Sequence, residues 1–89
     1  MVVKKKVVVK NKQGLHARPA ALFVQIANKF TSEIIVQKGS QEVNGKSIMG
    51  IITLGATYDS ELNIIAEGAD EKEAVTALAE LFDRKFEEE

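Results

Sequence analysis

Over residues 3–9 the chain is rich in β-branched residues and alternates with a period of two, Lys5, Val7 and Val9 sharing one side. This pattern predicts a strand that stops at the turn-like Asn11-Lys12-Gln13-Gly14. From Ala17 the period changes: Leu22, Phe23, Ile26, Ala27 and Phe30 recur at intervals of three and four, the stripe of an amphipathic helix. Pro19, the one proline, belongs in the first turn of that helix, where a backbone amide has no intrahelical acceptor to lose. The helix therefore starts at about His16 or Ala17.

Two short strand-like runs follow, residues 33–38 and 41–43, separated by Gly39-Ser40, and they are expected to pair as an antiparallel hairpin. Asn44-Gly45 breaks the pattern. Ser47 then precedes the apolar residues 48–54, closed by Gly55, which predicts a short helix with a serine N-cap and a glycine stop. Residues 62–67 read as a fourth strand. Asp70, with Glu73 three residues on, resembles a capping box opening a last helix whose buried stripe is Ala74, Val75, Leu78, Phe82 and Phe86. Lys85 suits the final turn of that helix, whereas Glu87, Glu88 and Glu89 oppose its dipole and are expected to fray. The order is βαββαβα. Three amphipathic helices and four half-polar strands predict an α+β open-faced two-layer sandwich, a four-stranded antiparallel sheet with the helices on one face and water on the other.

Composition narrows the function classes. With 89 residues, 45% of them hydrophobic and 28% charged, the chain is expected to form a single domain spanning 1–89, burying roughly two-thirds of its unfolded surface. No cysteine and one histidine exclude a disulfide framework, thiol chemistry and a Cys/His zinc site, so no metal or cofactor is expected. The longest apolar runs are far below the ~20 residues needed to cross a bilayer, and the N-terminus lacks the features of a cleavable leader. A cytoplasmic protein without membrane insertion is expected. The net charge of −1 hides an asymmetry: residues 1–46 carry nine Lys/Arg against two acids, giving +7, and residues 47–89 carry three against eleven, giving −8. Such a basic half can steer an acidic partner, unless folding interleaves the two sets.

The lone histidine lies in Gly14-Leu15-His16-Ala17-Arg18-Pro19-Ala20, between a glycine-containing turn and a helix start. There it faces unpaired amides and the positive end of the helix dipole, so a nucleophilic ring sits in an anion site. Arg18 can give two parallel hydrogen bonds to phosphate oxygens, and the first-turn amides of Ala17, Arg18 and Ala20 are expected to add more, Pro19 having none. A hydrolytic histidine would need a Ser, Cys or carboxylate partner, and no acid lies nearer in sequence than Glu33, so a carrier fits better than a hydrolase.

Residues 14–20, together with Lys46-Ser47-Ile48-Met49-Gly50 and Leu54-Gly55, resemble the phosphocarrier protein HPr family of the bacterial phosphoenolpyruvate-dependent sugar phosphotransferase system, over essentially the full chain. The resemblance implies that His16 takes phosphate from phospho-enzyme I through Nδ1 and passes it to sugar-specific enzyme IIA proteins, with Arg18 assisting. It implies a stoichiometric carrier rather than an enzyme, and the sheet order strand one, four, two, three.

A serine ahead of a short helix is ordinarily an N-cap, stabilising by ~1 kcal/mol. A phosphate on Ser47 would place about −1.5 to −2 charges where the dipole tolerates them, changing the surface while sparing the fold. The Ser47 segment resembles the low-GC Gram-positive form of the family. That likeness implies modification by an ATP-dependent HPr kinase/phosphorylase, after which the protein serves catabolite control protein A as corepressor. The 48–54 helix carries too many apolar groups for one buried face: Ile51 and Leu54 lie on one side, Met49 and Ile52 on another with Ile48 between. One set must be exposed, and the resemblance favours Ile48, Met49 and Ile52 as the exposed set, a partner-docking patch rather than ordinary core. Here the sequence departs from the family pattern, which would place a second Met at Ile52.

Residues 20–25 and 30–32 are also similar to Crh, the regulatory paralogue, whose glutamine at the histidine position would leave a module acting only through phospho-Ser47. His16 argues for the carrier. An RNA-binding α/β domain fits the basic first half, but the five aromatics form no strand-centred pattern for stacking bases, so no direct nucleic-acid contact is expected. A monomer is expected, although exchange of strand one between neighbours is conceivable.

Overall fold

The computed structural model describes residues 2–88, and the chain runs β1 (Val2–Val8), α1 (Ala17–Ala27), β2 (Glu33–Lys38), β3 (Gln41–Asn44), α2 (Ile48–Thr53), β4 (Glu61–Glu67) and α3 (Glu71–Asp83), followed by a 3-10 turn at Lys85–Glu87. The sheet order is β1-β4-β2-β3, every pair antiparallel, with Lys4, Ile65, Ile35 and Asn44 in one cross-strand row. The fold is the α+β sandwich anticipated from the sequence, and the order matches that implied by the resemblance.

The period-two pattern decides which side of the sheet is covered. Leu62, Ile64 and Ala66 of β4 and Ile34 and Val36 of β2 are buried, while the alternate Lys4, Lys6, Glu61 and Glu33 face water. Lys5 shares the Ile64 side yet is exposed, as an edge strand permits. α3 packs over β1 and β4, and α1 packs against both α2 and α3. Phe23 of α1 meets Phe82 of α3 edge-on at 6.1 Å, and Phe82 meets Phe86 at 4.8 Å, joining the helix layer through three rings. The two charge sets interleave: Lys6 pairs with Glu61 at 3.6 Å and Lys10 with Asp83 at 3.4 Å. The basic half is therefore not a uniform face.

Two expectations at the third helix are corrected. Asp70 caps nothing with its side chain. Its carboxylate instead accepts from the Thr31 and Ser32 amides, each at 2.9 Å, and from the Ser32 hydroxyl, tying the start of α3 to the loop before β2. These donors, the Ser32 hydroxyl foremost and the Thr31 amide next, hold the carboxyl down from 3.8 to about 2. With Asp70 so engaged there is no reciprocal capping box, and the Gly68 amide donates to Glu71.

The end of the chain also differs. α3 stops at Asp83, and Lys85, Phe86 and Glu87 all take left-handed backbone angles, with φ of 56°, 52° and 61°. Non-glycine residues adopt this region at a cost of about 1–2 kcal/mol each. Phe86 stays buried, as the stripe predicted, but it reaches the core from a reversed chain rather than from a continuing helix. Lys85 is consequently outside the last helical turn, and Glu88, expected to fray, is directed back toward the start of α1; Glu89 lies outside the described residues.

Candidate functional site

The β1–α1 loop is held on three points before it reaches the histidine. Gly14 sits at φ 74° against Ala56, whose carbonyl oxygen would lie 2.5 Å from any added Cβ, so only glycine fits this close approach. The next amide, of Leu15, donates to that same carbonyl at 2.9 Å. Asn11 is buried and donates its side-chain amide to the Gly14 carbonyl at 2.6 Å.

His16 follows as the N-cap of α1, with extended backbone angles and no side-chain capping bond. Its carbonyl accepts from the Ala20 amide at 3.0 Å, closing the first helical turn. This corrects one of the expected phosphate-binding groups. Counting from His16 as cap, Ala20 is the fourth helical residue, so its amide is already spent inside the helix and its side chain is buried. In the first turn of α1, the amides with no acceptor among the described residues are those of Ala17 and Arg18, since Pro19 has none.

Not spent on capping, the imidazole is 36% exposed. Its side-chain hydrogen bonds among the described residues all run through Nε2, at 3.1 and 3.4 Å from the two oxygens of Glu88, and Nδ1 has no hydrogen-bond partner there. Glu88 itself is only 14% exposed. Its Oε1 also accepts from Asn11 Nδ2 at 3.0 Å, and its Oε2 lies 4.0 Å from the exposed Arg18 guanidinium. Lys12, Gln13, His16, Arg18, Glu87 and Glu88 line one open cleft of about 450 Å³. His16 and Arg18 stand out in the sequence, whereas Glu88 and Asn11 do not, because the nearest acid in space lies 72 positions away.

At α2, Ser47 is an N-cap in the ordinary sense, its Oγ accepting from the Gly50 amide at 3.1 Å. Neighbouring Lys46 donates through Nζ to the Phe30 carbonyl at 2.7 Å. Ile51 and Leu54 are buried, whereas Ile48, Met49 and Ile52 are exposed, Met49 by 68%. A second groove, lined by Arg18, Leu22, Gln25, Ile48 and Phe86 among others, joins this helix to the histidine side of the molecule. Ser47 lines neither the cleft nor the groove. No group of residues with metal-ligand character occurs among the described residues, and no helix among them is long and apolar enough to cross a membrane.

Fold and site together define a small open-faced sandwich that displays a single histidine at a helix N-terminus beside an arginine and unspent amides. Residues 3–84 match the family model for the PTS HPr component phosphorylation site. Phosphocarrier protein HPr of Treponema pallidum is 49% identical over 99% of this chain and 100% of its own. The HPr-like protein Crh of Halalkalibacterium halodurans is 51% identical over 94% of this chain and 100% of its own. The crystal structure of HPr-C-His from Thermoanaerobacter tengcongensis superposes with a TM-score of 0.94 at 53% identity, covering 98% of each chain, and HPr of that organism is also solved as a dimer. The chain belongs to the HPr family of phosphocarrier proteins of the phosphotransferase system, a family with Crh-like relatives.

Proposed function

We propose that this chain is a cytoplasmic phosphocarrier of sugar uptake. His16 accepts a phosphoryl group from phospho-enzyme I and donates it to sugar-specific enzyme IIA proteins. The observation that carries this reading is the N-cap of α1, where the imidazole caps nothing and leaves Nδ1 unpaired beside Arg18 and the free amides of Ala17 and Arg18. In the forward step the Nδ1 lone pair forms the bond to phosphorus while the bond to the donor breaks, its electron pair returning to the donor. Arg18 and the two amides hold the phosphoryl oxygens, and transfer to the next protein reverses the bond changes. The chain is regenerated in each cycle and acts as a carrier rather than an enzyme. One chain supplies every residue of the site, so a single copy suffices as the working unit.

Ser47 serves as the regulatory phosphorylation site, modified by an HPr kinase/phosphorylase and read by catabolite control protein A. Ile48, Met49 and Ile52 form the surface on which these partners and enzyme I dock. Their exposure, and the groove running from Arg18 to Ile48, support this reading. The high identity to Crh favours one alternative, a module acting only through phospho-Ser47. The two separate in a reconstituted relay containing phosphoenolpyruvate, enzyme I and an enzyme IIA. A carrier passes labelled phosphate to enzyme IIA when present in trace amount; a signalling module leaves enzyme IIA unlabelled.

A further inference from the structure

The geometry points to Glu88 as a positioning residue for His16: its carboxylate grips the ring through Nε2–H, so that Nδ1 is the nitrogen presented to an incoming phosphoryl group. This role rests on the carrier reading of His16. An ionised carboxylate can only accept, so at 3.1 Å the Nε2 atom must carry the hydrogen, and the lone pair of the neutral ring is left on Nδ1.

Three features show that the grip is built rather than incidental. Asn11 donates to Glu88 Oε1 at 3.0 Å and is itself fixed to the Gly14 carbonyl at 2.6 Å, so the carboxylate is located independently of the histidine. Asn11 Oδ1 is buried without a partner, and turning the amide over would set that oxygen against the Gly14 carbonyl and the carboxylate. The orphaned oxygen is thus the cost of keeping both donors aimed at the loop and the tail. Finally, three consecutive left-handed residues bend the chain back, and Phe86 anchors that bend against Phe82. Strained backbone of this kind persists where surrounding contacts over-determine it.

The chemistry gives Glu88 a task. When Nδ1 forms its bond to phosphorus and the donor leaves with its electron pair, Nε2 keeps its hydrogen and the ring becomes cationic. Glu88 faces that new charge across the Nε2–H. A carboxylate behind a hydrolase histidine acts by the same logic, fixing the tautomer and stabilising the imidazolium. Arg18, exposed and at 4.0 Å from Glu88, remains able to turn to the phosphoryl oxygens.

The test uses the full chain, Glu88→Ala and Glu88→Gln, reading the His16 Nε2–H resonance in proton–nitrogen NMR and the rate of phosphorylation by enzyme I. The wild type shows a protected Nε2–H. Glu88→Ala loses that signal and accepts phosphate about tenfold more slowly, through kcat rather than KM. Glu88→Gln, whose amide oxygen still accepts, keeps the signal but is slowed by loss of charge. A wild-type rate or a retained signal in Glu88→Ala overturns this role alone, whereas a wild-type chain that takes no phosphate overturns the carrier reading with it.

Discussion

Two helix starts in this molecule carry the residues of interest and treat them oppositely. At α2, Ser47 spends its hydroxyl on the Gly50 amide, so a potential modification site also holds its helix together. At α1, His16 leaves the cap unmade and its ring is engaged from outside by a residue at the far end of the chain. The lesson is that a side chain used for stability and a side chain kept for chemistry are distinguished by whether the local backbone claims it. The start of α3 is a third case, in which Asp70 gives up the cap to bind a different loop.

Substitutions can break this contrast from either side. The largest effect is expected at His16: His16→Ala should eliminate phosphotransfer from enzyme I, while denaturant melts shift by no more than about 3 kcal/mol, the upper worth of a hydrogen bond to a charged group. Full phosphorylation of that variant would show that the chemistry lies elsewhere. Next comes the exposed face of α2. Met49→Asp places a charge in the docking patch and should weaken enzyme I binding about tenfold, or ~1.4 kcal/mol, by calorimetry, with an unaltered melting curve. Unchanged affinity would remove that face from the interface.

Ser47 should behave as the mirror image of His16. Ser47→Ala is expected to cost about 1 kcal/mol of stability and leave phosphotransfer intact. Ser47→Asp preserves a capping oxygen, and so stability, but slows acceptance from enzyme I. An Ala variant as stable as wild type would deny the capping role, and an Asp variant with wild-type kinetics would deny the switch. The smallest effect is confined to acid. The Asp70 carboxyl is held down at about 2 in the folded chain against 3.8 ordinarily, so its contribution is fully present above pH 3.8 and is lost as pH falls through 2. Thermal melts of wild type should therefore decline more steeply over that window than those of Asp70→Asn; parallel curves would show that the carboxylate contributes nothing there.

The alternation of residues 62–67 and the three-four spacing from Leu22 to Phe30 made the elements legible in the sequence, and Pro19, Ser47 and Gly55 marked their ends. The Gly14–Ala20 segment marked the histidine. Sheet order was legible only through family resemblance, because the apolar period says which face of a strand is buried but not which strand lies beside it. Ala20 was misassigned because a one-residue choice of cap decides which amides remain free. Asp70 was misread because tertiary donors on a distant loop outcompeted its own helix. Glu88 was invisible for a related reason: no glycine signals the left-handed turn at Lys85–Glu87, and the contact it makes spans nearly the whole chain.

The central claim, that His16 carries the phosphoryl group, is tested most directly by intact-mass measurement after incubation with phosphoenolpyruvate and enzyme I, followed by acid treatment and peptide mapping. One added phosphoryl group is expected, located on His16 and lost in acid. No mass gain with an enzyme I shown to be active on another HPr, or an acid-stable phosphate on another residue, would contradict it.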